Sequence, residues 1–223
     1  YFSHFCDIYV FPNPKTGATG TGGGWFQGGK GEYRKTFATP KGELVKIHFE
    51  GVYQKAEVFV NGKKAGQHAY GYTPFTVDVT PFLVKKGKNE LLVKVNNSEQ
   101  PNCRWYSGSG IYRHVWLQTM PKVHVAENGI YVTTPKVSPQ EATVRVEVTV
   151  QNESDKPQQA HIEYQKEQQT IDLKAGESRQ AVFTFTVQNP KLWSLRDSGI
   201  TRSYLTVNGV KSSFEYGIRS ISF

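Results

Sequence analysis

The chain has 223 residues, of which 37% are hydrophobic and 21% are charged, as expected for a globular protein with one large or two ordinary domains. Its formal charge of +8 raises the question of nucleic-acid binding. The densest basic groups, Lys63-Lys64 and residues 85–88, lie beside turn signals and are not clustered, so we predict no nucleic-acid partner. No run approaches the ~20 apolar residues of a membrane-spanning helix, so we predict no membrane contact.

The N-terminal residues lack the basic region and apolar core of a signal peptide, and we expect the natural chain to begin upstream of Tyr1. Two cysteines, Cys6 and Cys103, are too few for a disulfide-built scaffold. The sequence does not say whether their geometry permits a bridge. We expect two unpaired thiols, which leave the cellular compartment open.

Residues 16–31 are rich in glycine and enclose the aromatic pair Trp25-Phe26. Residues 24–30 have the spacing of a phosphate-binding loop up to its lysine, but Gly31 stands where a magnesium-binding Ser or Thr is required. A strand pattern follows in place of a helix, so we reject nucleotide binding. Two interpretations remain, a functional loop and a flexible surface excursion.

Apolar and polar residues alternate along most of the chain, most clearly at residues 45–49, 75–79 and 144–150. Each run predicts a strand with one buried face. Asn61-Gly62 and Asn208-Gly209 follow such strands and are the residues that a tight hairpin turn requires. No window shows a convincing 3.6-residue apolar repeat, so we predict an all-β protein of sandwiches or barrels.

One strand pattern stops after Leu117 and a new one begins at Val123, which indicates a domain boundary. We predict a first domain of residues 1–121 and a second of residues 122–223. The second domain has the length and the roughly seven candidate strands of an immunoglobulin-like sandwich. The Cys…Trp…Cys signature of antibody domains is absent, so this likeness concerns the architecture alone.

Side chains that commonly act in catalysis or bind metals show no convincing arrangement. The six histidines lack metal-ligand spacing and are expected on polar strand faces, as for His48, His114 and His161. The pairs Asn89-Glu90 and Asn152-Glu153 are expected to be turn residues with their carboxylates in water. No Gly-x-Ser-x-Gly elbow is present. We therefore predict no catalytic residue, no metal site and no cofactor in this chain.

Several segments together resemble the N-terminal region of family 2 glycoside hydrolases, in the order and spacing of that family. In the first half they are GGWFQGG (23–29) with YRKTF (33–37), FEGV (49–52), AEVFVNG (56–62), GYTPFTVDVT (71–80) and RWYSGSGIYRHV (104–115). In the second half they are GIYVTTP (129–135), NPKLWS (189–194) and YGIRSI (216–221). The resemblance implies a sugar-binding jelly roll of the galactose-binding type, followed by an immunoglobulin-like β-sandwich.

The resemblance also implies sugar contacts for three residues. Arg104 matches an arginine that many bacterial members place at the subsite of the terminal sugar, and its guanidinium fork suits bidentate binding of hydroxyls. The other interpretation is an ordinary loop arginine beside Trp105-Tyr106. Trp105 is assigned to substrate binding with Arg104. Trp25 either borders the same cleft or caps the jelly-roll core, and Cys103 receives no role.

By the same resemblance, residues 216–221 precede a catalytic barrel that carries both catalytic glutamates. The chain is therefore expected to be a non-catalytic N-terminal part of a retaining β-galactosidase, inactive alone. Its expected partners are a β-galactoside, for which the jelly roll helps to form the subsite, and the barrel of the same polypeptide. Oligomerisation is left open, and a periplasmic or secreted location is preferred to a cytoplasmic one.

Two other functions fit the sequence. A stand-alone carbohydrate-binding module would use Trp25, Phe26, Trp105 and Tyr106 as an aromatic platform. A structural or adhesive tandem of sandwiches agrees with the fold but does not explain the segment around Arg104.

Overall fold

The computed structural model of the chain describes residues 28–99 and 108–220. The chain divides into two compact units, Tyr1–Met120 and Pro121–Phe223. The described residues of both units form β-strands and one short 3-10 turn, which confirms the predicted all-β class. In this part of the chain no helix has the length and apolar character needed to cross a membrane.

The first unit is an antiparallel β-sandwich. Its sheets have the strand orders β1-β7-β4-β5 and β6-β2-β9, and a short pair joins β3 to β8. The strands are β1 (Gly29–Ala38), β2 (Leu44–Phe49), β3 (Val52–Tyr53), β4 (Ala56–Val60), β5 (Lys63–His68), β6 (Phe75–Asp78), β7 (Lys88–Asn97), β8 (Gly110–Ile111) and β9 (Val115–Met120).

Alternate residues of these strands form the first core. The predicted runs at 45–49 and 75–79 place their apolar residues inward, and Asn61-Gly62 forms the predicted turn between β4 and β5. Both turn residues have positive φ, 50° and 76°, which a tight hairpin requires. The principal buried side chains are Val45, Ile47, Phe49, Val58, Val60, Val77, Val79, Leu91 and Val93.

The second unit consists of two antiparallel sheets with strand orders β10-β11-β14 and β13-β12-β15-β16. Its strands are β10 (Val123–Val137), β11 (Glu141–Asn152), β12 (Gln158–Tyr164), β13 (Glu167–Leu173), β14 (Ser178–Gln188), β15 (Thr201–Val207) and β16 (Val210–Tyr216). Residues 144–150 behave as predicted, because their valines are fully buried while the residues between them are not. Asn208-Gly209 forms the predicted turn between β15 and β16, with φ of 49° and 78°.

Strand β10 leaves its ladder with β11 at two places, between Val125 and Ile130 and between Thr133 and Lys136, and the first interruption is the larger bulge. Val125 is paired with Val150 and Ile130 with Val148, so the four residues 126–129 lie opposite Thr149 alone. A Cβ atom on Gly129 would lie 2.8 Å from the Thr149 carbonyl oxygen, which requires glycine at this position.

The expectation that both Asn-Glu pairs are turn residues is wrong for Asn89, Glu90 and Asn152, which lie in strands, whereas Glu153 lies in the loop after β11. Asn89 and Glu90 lie in β7, where Asn89 is buried and donates to Thr39 Oγ1 over 3.0 Å. Asn152 is the last residue of β11, and its buried amide donates to the carbonyl oxygens of Lys156 and Lys174. Asn89 Oδ1 also accepts a hydrogen bond from the Val84 backbone N–H over 2.9 Å, so both buried asparagine side chains have partners, as buried polar groups require.

The general expectation for the histidines and carboxylates also fails at one place. His124 is buried, and its ring nitrogens lie 3.0 Å from the Pro121 carbonyl oxygen and 3.3 Å from Glu153 Oε1. The Glu153 side chain is only 20% exposed, so its carboxylate does not lie in open water. His48 is half-buried and His161 is exposed on strand faces, as predicted, whereas His114 is exposed but lies before β9 and not on a strand.

Candidate functional site

The three residues predicted to contact sugar, Trp25, Arg104 and Trp105, lie outside the described residues, as do Cys6 and Cys103. The structure does describe the positions at which the two predicted segments join the first unit. The glycine-rich segment leads into β1, and the segment around Arg104 connects β7 to β8. The geometry of these attachment points is therefore the basis for the candidate site.

The attachment points meet at Asn97, the last residue of β7. Gly29, the first residue of β1, is the ladder partner of Asn97. The Asn97 side-chain amide donates to Ser109 Oγ over 2.9 Å, and Gln54 Nε2 lies 3.5 Å from Asn97 Oδ1. We call Gln54, Asn97 and Ser109 the Asn97 anchor. Because of these contacts, Gly29, at the end of the glycine-rich segment, and Asn97 and Ser109, which flank the Arg104 segment, lie together at one end of the sandwich.

A pattern in the sequence could have identified this anchor. Asn89, Leu91, Val93, Val95 and Asn97 alternate along β7, and all five are buried. The two asparagines thus continue the buried phase of the strand at its two ends. A polar side chain in a buried phase requires a hydrogen-bond partner, which marks it as a residue that organises its surroundings.

The strand that follows the Arg104 segment is held by a glycine and a tyrosine. Gly110 has φ of 92°, and a Cβ atom there would lie 1.9 Å from Tyr33 Oη. The same hydroxyl accepts a hydrogen bond from the Ile111 backbone N–H over 3.2 Å. Gly110 also pairs with Tyr53 of β3. Only glycine allows the Tyr33 hydroxyl to lie this close to the backbone at position 110. The contact therefore fixes the backbone position at which the Arg104 segment enters β8.

Exposed tyrosines surround the β3–β8 pair. The ring centroids of Tyr53 and Tyr72 are 5.0 Å apart, and those of Tyr70 and Tyr72 are 5.6 Å apart. The Tyr112 hydroxyl donates to the Gly71 carbonyl oxygen over 2.7 Å, and partial burial raises the pKa of Tyr112. We call Tyr70, Tyr72 and Tyr112 the tyrosine surface. It offers aromatic faces and hydroxyl groups next to the candidate site.

A carboxylate next to this surface orients two ring side chains. Trp116 Nε1 donates to Glu50 Oε1 over 2.7 Å, and His114 Nδ1 lies 3.1 Å from Glu50 Oε2. The hydrogen bond from Trp116 is the main cause that lowers the pKa of Glu50, and His114 contributes further. Glu50 therefore fixes the orientation of the Trp116 ring while it is ionised.

Replacement of Glu50 by glutamine is expected to remove a pH-dependent contribution to stability. Because the folded-state pKa of Glu50 is lowered, its contribution is present above the unfolded pKa of about 4.3 and disappears as pH falls through the folded pKa. The Glu50→Gln variant should be about 0.5–1 kcal/mol less stable than the parent at neutral pH, an amount limited by solvent screening. Urea titrations at a series of pH values measure this difference.

The two stability curves should converge in acid, since the parent loses the same charge there. Glu167→Gln is the matched control, because Glu167 is an exposed glutamate in the other unit, on β13. A constant difference between Glu50→Gln and the parent at every pH would contradict the assigned role of the carboxylate.

Among residues 28–99 and 108–220, no group of three or more His, Cys, Asp or Glu side chains could hold a metal ion. The polar groups of the Asn97 anchor and of the tyrosine surface are neutral amides and hydroxyls. Such groups suit hydrogen bonds to a neutral polyhydroxylated ligand better than they suit metal coordination.

Comparison with known proteins agrees with these features. Residues 26–121 match the model of the glycosyl hydrolases family 2 sugar binding domain, and residues 123–202 match a second model of glycosyl hydrolases family 2. The chain is 42% identical over 192 residues to Beta-galactosidase BoGH2A of Bacteroides ovatus. The aligned region covers 79% of this chain and 22% of that protein. It is 31% identical over 214 residues to a Beta-glucuronidase of Formosa agariphila, and the aligned region covers 81% of this chain and 22% of that protein.

A solved structure is similar as well. A glycosyl hydrolase family 2 member from Bacteroides cellulosilyticus superposes with a TM-score of 0.84 at 28% identity, over 96% of this chain and 30% of that one. The chain thus spans about a fifth of the length of the two relatives named above.

Proposed function

The chain belongs to glycosyl hydrolase family 2, and from that premise we propose that it forms the N-terminal, non-catalytic part of a retaining exo-glycosidase that acts on terminal β-galactosides. The proposed domains are a jelly roll of residues 1–121 and an immunoglobulin-like sandwich of residues 122–223. The catalytic carboxylates are proposed to belong to a barrel domain of the same polypeptide, because glycoside hydrolysis requires a carboxylate pair facing one bond.

The observation that carries the proposal is the convergence at the Asn97 anchor. The β1–β7 ladder ends with Gly29 beside Asn97, and Asn97 holds Ser109. This arrangement supports a single site formed by the glycine-rich segment and the Arg104 segment. In that site Arg104 binds sugar hydroxyls through its guanidinium group, and Trp25 and Trp105 contribute aromatic faces.

The proposal predicts a specific loss of activity when Arg104 is replaced in the barrel-containing polypeptide. Arg104→Ala should lower kcat/KM for a chromogenic β-galactoside roughly 10- to 100-fold, the effect of losing charge-assisted hydrogen bonds. Arg104→Lys should recover only part of the loss, since an ammonium group cannot form the bidentate fork. Steady-state kinetics of the purified variants measure both effects.

The matched control is Arg34→Ala, because Arg34 is an exposed arginine of β1 that forms ion pairs with Glu32 and Glu90. It should leave kcat/KM unchanged. An unchanged kcat/KM for Arg104→Ala would remove the proposed sugar contact. Turnover by the purified 223-residue chain alone would overturn the non-catalytic assignment.

A β-glucuronide is the second candidate substrate, favoured by the similarity to the Formosa agariphila Beta-glucuronidase. The two candidates differ at C6 of the sugar, which is a hydroxymethyl group in a galactoside and a carboxylate in a glucuronide. Parallel assays of the barrel-containing polypeptide with chromogenic β-galactosides and β-glucuronides separate them. A higher kcat/KM for the glucuronide would replace the galactoside in the proposal and leave the role of Arg104 intact.

A carbohydrate-binding module that works without an enzyme is a third candidate, favoured by the tyrosine surface. Exposed tyrosine rings stack on sugar faces, and their hydroxyls donate hydrogen bonds. Calorimetric titration of the purified chain with galactose and with longer β-glycans distinguishes this function. Tight binding by the chain alone favours the module, whereas absence of binding agrees with a subsite completed by the barrel.

A further inference from the structure

Three asparagine–glycine pairs occur in the described residues, and their asparagines share one backbone conformation. Asn61, Asn128 and Asn208 have φ of 50°, 54° and 49°. Each lies in the left-handed region and precedes a glycine. The local sequence and φ are therefore nearly matched, so differences in chemical reactivity depend on what holds each side chain.

The side-chain amide of Asn61 is held by three hydrogen bonds. Its Nδ2 donates to the Phe82 carbonyl oxygen over 2.9 Å and to Asn89 Oδ1 over 2.8 Å. Its Oδ1 accepts from the Glu90 backbone N–H over 2.9 Å. These bonds tie the turn between β4 and β5 to β7, and rotation of the amide would break all of them.

The side-chain amide of Asn208 is held by two hydrogen bonds. Its Oδ1 accepts from the His161 backbone N–H over 2.8 Å, and its Nδ2 donates to the Gln159 carbonyl oxygen over 3.1 Å. Both partners lie in β12, so the turn between β15 and β16 is anchored to the neighbouring strand.

Asn128 differs from both. It is exposed in the bulge of β10, and its side-chain amide has no hydrogen-bond partner among residues 28–99 and 108–220. The following residue, Gly129, has no side chain to crowd its backbone nitrogen. The Asn128 carboxamide is thus free to rotate toward the nitrogen of the next residue, the approach that precedes ring closure.

We propose that Asn128 is a site of spontaneous deamidation, and that it is the fastest of the three asparagine–glycine sites in the folded chain. The Gly129 backbone nitrogen loses its proton and attacks Asn128 Cγ, the new N–Cγ bond closes a five-membered succinimide, and ammonia leaves. Water then adds to one of the two ring carbonyls and opens the ring. The net reaction consumes one water, releases one ammonia and leaves aspartate or isoaspartate at position 128.

The location of Asn128 determines what this modification does. Either product adds a negative charge beside Glu127 in the bulge. Isoaspartate also adds a methylene group to the main chain between Val125 and Ile130, where the ladder of β10 with β11 is already interrupted. We therefore expect the modified chain to remain folded, because the extra atoms enter a bulge that pairs with no regular ladder position.

Peptide mapping by mass spectrometry tests the proposal on the purified 223-residue chain. The folded chain is incubated at mildly alkaline pH, and the conversion of amide to acid is followed in the three peptides that contain Asn61, Asn128 and Asn208. Conversion at Asn128 should be at least about tenfold faster than at either other site, since those sites must first break two or three hydrogen bonds.

The urea-unfolded chain and the Asn128→Gln variant serve as controls. In urea-unfolded chain the three sites should react at similar rates, because the tethering bonds are gone. Asn128→Gln should abolish conversion at position 128 and leave the other two rates unchanged, since glutamine would have to close a larger ring. Equal rates at the three sites of the folded chain, or faster conversion at Asn61 or Asn208, would overturn the proposal.

Discussion

Replacement of Phe183 by alanine is expected to lower the free energy of unfolding of the second unit by about 3–5 kcal/mol. Phe183 is 1% exposed, lies in β14 opposite Val146 of β11 and meets the Tyr164 ring edge-on at a centroid distance of 5.7 Å. Truncation removes the apolar area of a fully buried ring and leaves a cavity between the two sheets. Strand backbones on both sides prevent that cavity from collapsing fully.

Phe185 provides the matched comparison for this prediction. It is the same residue type two positions along β14 and also lies 5.7 Å from the Tyr164 ring, but it is only partly buried. Phe185→Ala should therefore cost clearly less than Phe183→Ala. Amide hydrogen exchange of β11 reports on the second unit separately. Equal losses for the two variants would show that burial at Phe183 does not determine the stability of this core.

Replacement of Gly110 by alanine is expected to destabilise the first unit by about 2–4 kcal/mol. Two effects add at this position. A Cβ atom would overlap Tyr33 Oη at 1.9 Å, and φ of 92° is a strained conformation for any residue with a side chain. Because Gly110 follows the Arg104 segment, the variant should also displace the exit of that segment from the Asn97 anchor.

A double-mutant cycle with Tyr33→Phe separates the two effects. Tyr33→Phe alone removes the hydrogen bond from the Ile111 N–H and should cost about 0.5–1.5 kcal/mol. In the double variant the overlap with the hydroxyl is absent, so the combined loss should be smaller than the sum of the single losses. Hydrogen exchange of β7 amides measures each variant. Strict additivity would show that the hydroxyl contact contributes nothing to the requirement for glycine.

The alternation of apolar residues was sufficient to predict the strands. At residues 144–150 and 45–49 the side-chain period of a strand equals the period of the sequence pattern, so the buried face follows directly. The turns at Asn61-Gly62 and Asn208-Gly209 were also predictable, because positive φ at both positions restricts the residue types. These features depend on neighbours in the chain.

The errors fall where a polar residue lies on a buried face. Asn89 and Asn152 resemble turn residues locally, but both lie in strands and donate to groups that are distant in the sequence, the Thr39 hydroxyl and the Lys174 carbonyl oxygen. His124 likewise contacts Glu153, which belongs to a different part of the second unit. Local propensity could not predict these roles, since the partners are selected by sheet pairing.

At the candidate site, too, some features follow from the sequence and others depend on contacts between distant segments. The sequence by itself determined the fold class, the order of strands and turns, and, by resemblance, the residue types expected to meet the sugar. Only the tertiary structure decided that Gly29, Asn97 and Ser109 meet at one end of the sandwich. Gly29 lies beside Asn97 because β1 pairs with β7 in one register over ten residues, and Ser109 joins them through its hydrogen bond with Asn97. Register is set by long-range ladder contacts and core packing, and neither is encoded in the residues next to Asn97.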